Sequence, residues 1–352
     1  GIVNVLLAEG LYDAEFVRER TEGIEVLAAT VRDYTPARVA EICGIDQRDL
    51  VSAAKMYGGA GAAAIVYCLG VTEHSTGTDG VMALSNIAMI TGNLGKPGGG
   101  VNPLRGQNNV QGACDMGAGP DDLPGYQKVA DPEVLRRFER AWGTSLPRER
   151  GLKATECFPA MLEGRVRGLF LFGEDPVRTD PDTGHVLRAL AALDFLVVQD
   201  LFLTETAKLA HVVLPGRSYA EKEGTFTNTE RRVQRVRKAA RGPAGPRLDT
   251  DVFTEVMNRM GYEQPCLTAA EVMDEIASVT PSYGGVGHAR LDGDEVAGRG
   301  LQWPCPHAGH PGTPILHRHE FAQGVGAFST PDYRPSAELP DEEYPLAMMT
   351  GR

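Results

Sequence analysis

The 352-residue sequence predicts an α/β fold with parallel sheets. Three short apolar runs in the second half of the chain alternate with helical patterns, and each run stops at Gly, Pro or a polar residue. The runs occur in "GLFLFGEDP", "DFLVVQD" and "HVVLPG", with the helical patterns "TGHVLRALAAL" and "LTETAKLA" between them. Apolar strands that alternate with helices are typical of a parallel sheet covered by helices.

The first half of the chain begins with helical patterns and then turns to a buried strand. "TPARVAEICG" predicts a helix with Thr35 as N-cap, Pro36 in the first turn and Gly44 just past the end. A continuous apolar run predicts a strand near residues 62–69. "TDGVMALSNIAMI" then predicts a helix over residues 78–91 that stops before the Gly-rich stretch "GKPGGG".

The predicted strands of the second half end in groups that can bind a ligand: "GEDP", "QD" and "PG". In an open parallel sheet, ligands bind outside the carboxyl ends of the strands. We therefore predict part of one α/β domain over residues 1–107 and a second, cofactor-binding α/β domain over 108–320. Residues 321–352 are predicted to be a linker and the start of a truncated C-terminal domain.

Composition excludes several classes of protein. With 42% hydrophobic and 23% charged residues the chain is an ordinary globular protein, and no run approaches the length of a membrane span. The net charge of −12 argues against a nucleic-acid partner. The basic run at residues 231–241 is interpreted as a solvated edge or a rim that holds anions.

The cysteines do not form a local metal motif. They are Cys43, Cys68, Cys114, Cys157, Cys266 and Cys305, and no CxxC occurs among them. Scattered cysteines of this kind are typical of a reducing compartment, so a cytoplasmic location is expected. The chain starts in a helical pattern, "GIVNVLLAEG", and ends on "YPLAMMTGR", which resembles the start of a strand, so a segment of a longer protein is expected.

Several stretches resemble nucleotide- or metal-binding motifs but lack the residues or the position that such motifs need. "GNLGKP" has Ile90 where a P-loop needs its first Gly and Pro97 where it needs Ser or Thr. "GAGAAA" precedes its strand, so a bound phosphate would meet no helix N-terminus. The histidines near the C-terminus are interpreted as loop residues rather than zinc ligands; they are His307, His310, His317 and His319.

The stretch "PLRGQNNVQGACDM", residues 103–116, combines one arginine with a dense run of amides and two glycines. A guanidinium binds a carboxylate with two parallel hydrogen bonds, and amides suit a heterocycle with mixed donor and acceptor edges. The stretch therefore favours a site for a planar anionic ligand. A buried polar network with a purely structural role explains the same composition.

These motifs resemble a known family. "GVNPLRGQNNVQGACDMGA", "GEDP", "VVQDLFLTETAKLAHVVLP" and "EKEGTFTNTERRVQR" are similar to the catalytic alpha subunit of molybdenum- or tungsten-dependent formate dehydrogenases, bis-molybdopterin-guanine-dinucleotide oxidoreductases. The resemblance runs from residue 1 to residue 352, and "RGQNNVQGACDMG" is its formate-dehydrogenase-specific part. It implies parallel-sheet, dinucleotide-binding-like domains of the molybdopterin oxidoreductase type.

The resemblance also implies roles for individual residues. Arg105 would lie beside the metal and hold the formate carboxylate, and Gln107 would contact the pterin. The other positions that match cofactor contacts are Leu69, Glu73, Gly173, Glu174, Asp175, Thr179, Gln199, Asp200 and, across an alignment gap, Asp251. No metal ligand is implied within this chain.

The implied reaction is the oxidation of formate to carbon dioxide at a bis-molybdopterin guanine dinucleotide centre that contains molybdenum or tungsten. Electron-transfer subunits or redox carriers would accept the electrons. The metal-ligating Cys or selenocysteine of the family, its neighbouring His and its iron–sulfur cysteines all precede the first residue of this sequence. The segment alone is therefore expected to be inactive, with any iron–sulfur cluster bound outside it.

Three departures and three alternatives accompany this interpretation. Glu73 stands where relatives usually have Gln, His211 replaces a usual Asp, and Gly119 stands where an apolar residue is common. A nicotinamide dehydrogenase would need a strand followed by GxGxxG and an acidic residue about 20 positions later, which the sequence lacks. A family member acting on another small oxoanion, or a cofactor-free structural homologue in a redox complex, stays open beside formate oxidation.

Overall fold

The computed structural model describes residues 1–336 and 338–348. It divides the chain into two compact units, Gly1–Gly106 with Pro314–Arg352, and Gln107–Thr313. The domain boundaries predicted from the sequence stay a prediction. The last predicted part, 321–352, includes residues 337 and 349–352, which lie outside the described residues.

The first unit is mostly helical. Thr35 accepts a hydrogen bond from the backbone N of Arg38, and Gly44 closes the same helix at φ 65°, as predicted. Leu6 and Ile90 are fully buried in its core, where each such side chain contributes roughly 1.5–3 kcal/mol. The helices are Ile2–Ala8, Ala14–Arg20, Ile24–Val31, Pro36–Cys43, Gln47–Gly58, Leu69–Thr72 and Gly77–Ile90.

Short parallel strands accompany these helices. Ala64–Tyr67 pairs with Gly100–Pro103, and Thr21–Glu22 pairs with Gly326–Ala327. The apolar run that continues to Leu69 leaves the strand after Tyr67, because Leu69 begins a short helix. Both strands of the first pair therefore end at the same edge, close to the start of that helix.

The second unit contains the three parallel strands that the apolar runs predict. They are Gly168–Phe172, Phe195–Asp200 and Val212–Pro215, with Phe195–Asp200 in the middle. Val198 and Leu196 of the middle strand are buried in a core that also receives Val186 and Leu190 from the preceding helix. The short helix predicted in "LTETAKLA" is wrong in extent. Only a 3₁₀ turn, Ala207–Leu209, forms there, because the chain enters the next strand at Val212.

An antiparallel sheet that the sequence analysis did not predict completes the second unit. Its strands are Gly224–Thr227, Arg232–Val236 and Leu301–Gln302, with Arg232–Val236 in the middle. The Asn228 side chain forms the turn between the first two strands, accepting from the backbone N of Glu230 (2.9 Å) and of Arg232 (3.0 Å). Two two-residue strands, Asp122–Leu123 and Gln127–Lys128, pair separately. The helices of this unit are Val110–Asp115, Pro132–Trp142, Ala154–Leu162, Pro176–Thr179, Thr183–Ala191, Asp249–Arg259, Ala269–Val279 and His288–Asp292.

The basic run at residues 231–241 is partly neutralised within this unit. The Arg235 side chain is 9% exposed and its Nε lies 3.2 Å from Asp292 Oδ1. Arg237 pairs with the same carboxylate at 2.5 Å. Arg235 Nη1 also lies 3.4 Å from Nε2 of the buried His288. The basic run therefore contributes a strand and its ion pairs as well as surface charge.

His288 is expected to make the protein sensitive to mild acid. Burial and the neighbouring Arg235 lower the pKa of His288 below its ordinary value of 6.5, against the opposing charges of Asp292, Glu223 and Asp274. The contribution of His288 to the free energy of unfolding is therefore full above about pH 6.5. It is lost as the pH falls below that value, since the unfolded chain then binds more protons than the folded one. The free energy of unfolding should decrease by up to about 1.4 kcal/mol per pH unit from this group.

The measurement is the urea midpoint of the full-length protein between pH 7.5 and about 5, compared with a His288→Gln variant. All other titratable groups are the same in both proteins, so the difference between their changes in stability with pH reports on His288. The variant should lose less stability on acidification than the parent. Parallel curves for the two proteins would contradict this expectation.

Candidate functional site

The carboxyl ends of the three parallel strands of the second unit lie side by side. Phe172 is in register with Gln199, and Gln199 with Leu214. Because the strands are parallel, the residues that follow them meet at one edge of the sheet. This edge holds the residues of "GEDP" and "QD" that the sequence analysis selected.

Gly173 turns the chain immediately after the first of these strands. Its φ is 65°, in the left-handed region, and its backbone N donates to the carbonyl of Gln199 at 2.9 Å. A Cβ added to Gly173 would meet no atom within 4 Å. The glycine therefore sets the turn and leaves open space beside the sheet edge, and the adjacent Glu174 is exposed.

Asp175 fastens this loop to the next one. Its Oδ1 accepts from the backbone N of Thr206 (3.0 Å) and from the Thr206 hydroxyl (2.5 Å). Thr206 is fully buried, and its hydroxyl oxygen also accepts from the backbone N of Val177 at 3.2 Å. Thr179 remains exposed, with its hydroxyl donating to the Asp175 carbonyl at 3.2 Å. Asp175 thus holds the shape of the edge.

Gln199 connects the middle strand to a carboxylate on a distant helix. Its Nε2 donates to Asp249 Oδ1 at 2.9 Å, and the other oxygen of Asp249 pairs with the Lys222 ammonium. The Gln199 side chain is 1% exposed, and its Oε1 is buried without a hydrogen-bond partner among the described residues. An unpaired buried acceptor costs about 1–3 kcal/mol. A ligand with hydrogen-bond donors fits such a site.

The side chains of the two remaining residues selected on this side have other partners. Asp200 uses Oδ1 to accept from the backbone N of Leu201 at 2.6 Å, and its carbonyl accepts from Gly216 at 3.0 Å. Asp251 faces Cys266, whose Sγ lies 3.2 Å from Asp251 Oδ1. Of the two carboxylates in "LDTD", the structure therefore brings Asp249 and not Asp251 to Gln199.

Three selected residues follow the paired parallel strands of the first unit. Leu69 opens the short helix after Ala64–Tyr67 and is half-buried. Glu73, exposed at the end of that helix, donates its backbone N to the Leu69 carbonyl at 2.9 Å. Arg105, also exposed, comes two residues after Gly100–Pro103. The parallel pairing therefore places all three at the same edge of this strand pair.

The amide run divides into exposed and anchored parts. Gln107 and Asn108 are exposed, whereas Gln111 is 6% exposed. The Asn109 side-chain oxygen accepts from the backbone N of Thr227 at 2.8 Å. Gly112 is required here, because a Cβ at this position would lie 2.2 Å from that Asn109 oxygen. The structural interpretation therefore holds for the anchored part, and the ligand site stays a prediction for the exposed part.

The anchored part surrounds a fully buried carboxylate, Asp115. Its Oδ1 accepts from Gln111 Nε2 (2.8 Å) and the Tyr126 hydroxyl (2.9 Å), and its Oδ2 accepts from the Tyr283 hydroxyl (2.5 Å). Burial, and then the charge of Asp115, raise the pKa of Tyr283 and of Tyr126 far above the ordinary phenol value. Both tyrosines therefore stay protonated and donate to Asp115 at any working pH.

The histidines and acids do not assemble into a metal site in the described part of the chain. No group of three or more His, Cys, Asp or Glu side chains there could hold a metal ion. The rings of His307 and His310 contact each other edge to face, with centroids 5.5 Å apart. Across residues 1–336 and 338–348, none of the helices has the length and apolar composition needed to cross a bilayer.

Lys222 and Asp249 are the site residues that the sequence analysis missed. Asp249 stands two positions before Asp251, the aspartate that the family resemblance selected. Lys222 lies within the quoted motif "EKEGTFTNTERRVQR" and received no role. Their pairing joins residues 27 positions apart, which no local pattern predicts.

Comparison with known proteins identifies the class of protein that this fold and site define. The family model for molybdopterin oxidoreductases matches residues 1–259. The chain belongs to the molybdopterin oxidoreductase family. The predicted α/β fold of that type is thereby confirmed.

Among curated relatives, the chain is 50% identical over 356 aligned residues to F420-dependent formate dehydrogenase 2 subunit alpha of Methanococcus maripaludis. It is 40% identical over 354 residues to formate dehydrogenase H of Escherichia coli. These alignments cover 100% and 99% of this chain but 52% and 49% of the relatives. The chain thus spans about half the length of the curated relatives it matches.

Among solved structures, acetylene hydratase from Pelobacter acetylenicus superposes with a TM-score of 0.62 at 22% sequence identity. The superposition covers 83% of this chain and 42% of that chain. At this identity, the similarity is one of fold.

Proposed function

We propose that this chain is part of the catalytic subunit of a formate dehydrogenase. The observation that carries the proposal is Arg105, which is exposed directly after a parallel strand, at the edge that also holds Leu69 and Glu73. A guanidinium in such a place can hold a small planar carboxylate with two parallel hydrogen bonds. The relatives named formate dehydrogenase also support formate as the substrate.

The reaction is HCOO⁻ → CO₂ + H⁺ + 2e⁻. Arg105 would orient formate and balance its negative charge before the C–H bond breaks, which is a contribution of positioning and electrostatics. Because the guanidinium fork is rigid, it also restricts rotation of the carboxylate about its own axis. Glu73 would place a negative charge at the same edge, where relatives usually have a neutral amide.

Membership of the family implies a molybdopterin cofactor with molybdenum or tungsten. We propose its bis-guanine-dinucleotide form, with Gln199 and Asp249 at one base and Gly173 and Thr179 along the same dinucleotide. The buried, unpartnered Oε1 of Gln199 and the open space beside Gly173 support this assignment. When bound, the metal centre would accept the two electrons of the reaction.

The remaining cofactor contacts are proposed by position alone. They comprise Leu69, Glu73, Gln107, Glu174, Asp175, Asp200 and Asp251. Electrons would leave through an iron–sulfur cluster outside this sequence to a redox subunit or carrier. The cluster and the carrier belong to the proposal, as does the cytoplasmic location.

The test uses the full-length protein, expressed with molybdate and tungstate supplied. Metal content is measured together with formate-dependent reduction of an artificial dye. Bound metal with formate turnover is the expected result. Bound metal without turnover would overturn formate as the substrate and favour another small oxoanion. Absence of metal and of extractable pterin would overturn the cofactor assignment and favour a structural homologue.

A further inference from the structure

We propose that Trp303, Tyr126 and Asp115 form a proton-coupled electron-transfer relay that carries one-electron oxidation from the core of the second unit to solvent. This role is separate from formate oxidation and does not depend on it. The co-reactants are a one-electron oxidising radical at Trp303 and a small reducing anion at Tyr126. All three residues lie in the second unit, Gln107–Thr313.

The aromatic rings of the relay are neighbours. The Trp303 ring lies 6.2 Å from that of Tyr126 and 6.5 Å from that of Tyr283, measured between ring centroids. At such separations the rings are in direct packing contact, so an electron passes between them without an intermediate group. Tyr283 is 2% exposed, whereas Tyr126 is 42% exposed. Of the two tyrosines, Tyr126 is therefore the one that a solute can reach.

Asp115 is placed to accept the proton of an oxidised Tyr126. The Tyr126 hydroxyl donates to Asp115 Oδ1 at 2.9 Å, and Asp115 is fully buried. A phenol that loses an electron becomes a strong acid, and a base within hydrogen-bond distance takes its proton. Electron transfer from Tyr126 to an oxidised Trp303 then neutralises the positive indole and the negative carboxylate together. Because isolated charges are costly in a buried site, this step is favourable.

The surroundings of Trp303 give the relay its direction. The guanidinium carbon of Arg231 lies 5.4 Å from the centroid of the Trp303 ring. A cation at this position destabilises a positively charged indole through Coulomb repulsion. The indole Nε1 of Trp303 is buried and has no hydrogen-bond partner among the described residues, so none of them accepts its proton. Both features favour transfer of an electron from Tyr126 to Trp303.

Electrons and protons balance over one cycle. A radical oxidant takes one electron from Trp303 and leaves as an anion. The oxidised ring takes one electron from Tyr126, whose hydroxyl proton moves to Asp115. A reducing anion in solvent then returns one electron to the Tyr126 oxygen, and Asp115 returns the proton. The only net change is that the radical has oxidised the reducing anion.

The core beside Trp303 contains side chains that such a relay would protect. Cys305 and Met273 are buried in the cluster against which Trp303 packs. Oxidation of a buried sulfur makes its side chain polar and disrupts packing. An oxidising equivalent that reaches Tyr126 is reduced in solvent and no longer threatens these sulfur atoms.

The experiment is pulse radiolysis of the full-length protein with the azide radical, which oxidises tryptophan in preference to tyrosine near neutral pH. Transient absorption follows the loss of the tryptophan radical and the appearance of the tyrosine radical. We expect a phase whose rate is independent of protein concentration, and its loss in both Trp303→Phe and Tyr126→Phe. Tyr12→Phe is the matched control and should keep the phase. Tyr12 is 40% exposed and lies in the first unit, whereas both tryptophans of this sequence lie in the second.

The parent protein supplies a further measurement that needs no variant. Because the proton moves with the electron, the intramolecular phase should be slower in D₂O than in H₂O. An equal rate in the two solvents would overturn the role of Asp115 as proton acceptor, and absence of the phase would overturn the relay. A folded Tyr126→Phe variant that keeps the phase would overturn Tyr126 as the exit. If Tyr283→Phe then loses it, the electron comes from the buried ring instead.

Discussion

Replacing Arg105 with lysine is expected to reduce kcat/KM for formate by roughly 100-fold or more. Lysine keeps the positive charge but loses the planar fork that holds a carboxylate at two points. Since the lost contact orients formate for reaction, kcat should fall as well as the apparent affinity. The measurement is formate-dependent dye reduction by the full-length, cofactor-loaded enzyme, normalised to its metal content.

Arg18→Lys provides the matched control in the same unit. Arg18 is exposed and pairs with Glu19 on the surface at 3.0 Å, an ion pair that contributes little. Its substitution should leave formate turnover unchanged. Unchanged turnover in Arg105→Lys, at normal metal content, would remove Arg105 from the proposed substrate site.

The second large effect is expected at the buried Asp115. Asp115→Ala removes the acceptor of three donors at once, those of Gln111, Tyr126 and Tyr283. Gln111 also donates to the Tyr126 hydroxyl, and the Tyr283 hydroxyl lies 3.2 Å from that of Thr227, so the donors keep some of their hydrogen bonds. The free energy of unfolding should therefore fall by about 1–3 kcal/mol. The measurement is the urea midpoint of the full-length protein without cofactor, which keeps cofactor loss out of the comparison.

Asp121→Ala is the control for this substitution. Asp121 pairs with Lys128 at 3.2 Å on the surface, where its side chain is 43% exposed. Its loss should change stability by less than about 1 kcal/mol. An equally small effect at Asp115 would mean that water satisfies the three donors and that the buried network does not stabilise the fold.

Arg105→Lys and Asp115→Ala test the two parts of the amide run separately. Arg105 and Gln107 are exposed and belong to the proposed site, whereas Gln111 and Asp115 lie inside the second unit. The two parts are separated by Asn109, whose side chain is bound to the backbone of Thr227. A loss of activity without a loss of stability is therefore expected at one end, and the reverse at the other.

Much of the fold could be predicted from sequence because its signals are local. Thr35, Pro36 and Gly44 determine the ends of one helix through contacts within a single turn. The apolar runs predicted the strands Gly168–Phe172 and Phe195–Asp200, since strands of a parallel sheet carry apolar residues at successive positions. The sheet edge that carries Gly173 and Gln199 followed from the same pattern.

The antiparallel sheet was missed, because its middle strand, Arg232–Val236, has only two apolar residues, Val233 and Val236, and lies within a basic run. The buried Arg235 is paired there with Asp292, 57 positions later, and with Glu223, which lies outside the basic run. A long-range ion pair of this kind has no local signature. The interpretation of residues 231–241 as surface charge therefore omitted its structural part.

By itself, the sequence determined the fold class, the sheet edge that carries the selected residues and, through its resemblance to a family, the roles proposed for them. Tertiary structure decided which carboxylate meets Gln199, since Asp249 and Asp251 are the same residue type and stand only two positions apart. It also decided that Lys222 is the counter-charge of Asp249. The physical reason is that side-chain pairing across 27 or 50 positions depends on how helices and strands pack, which local propensity does not encode.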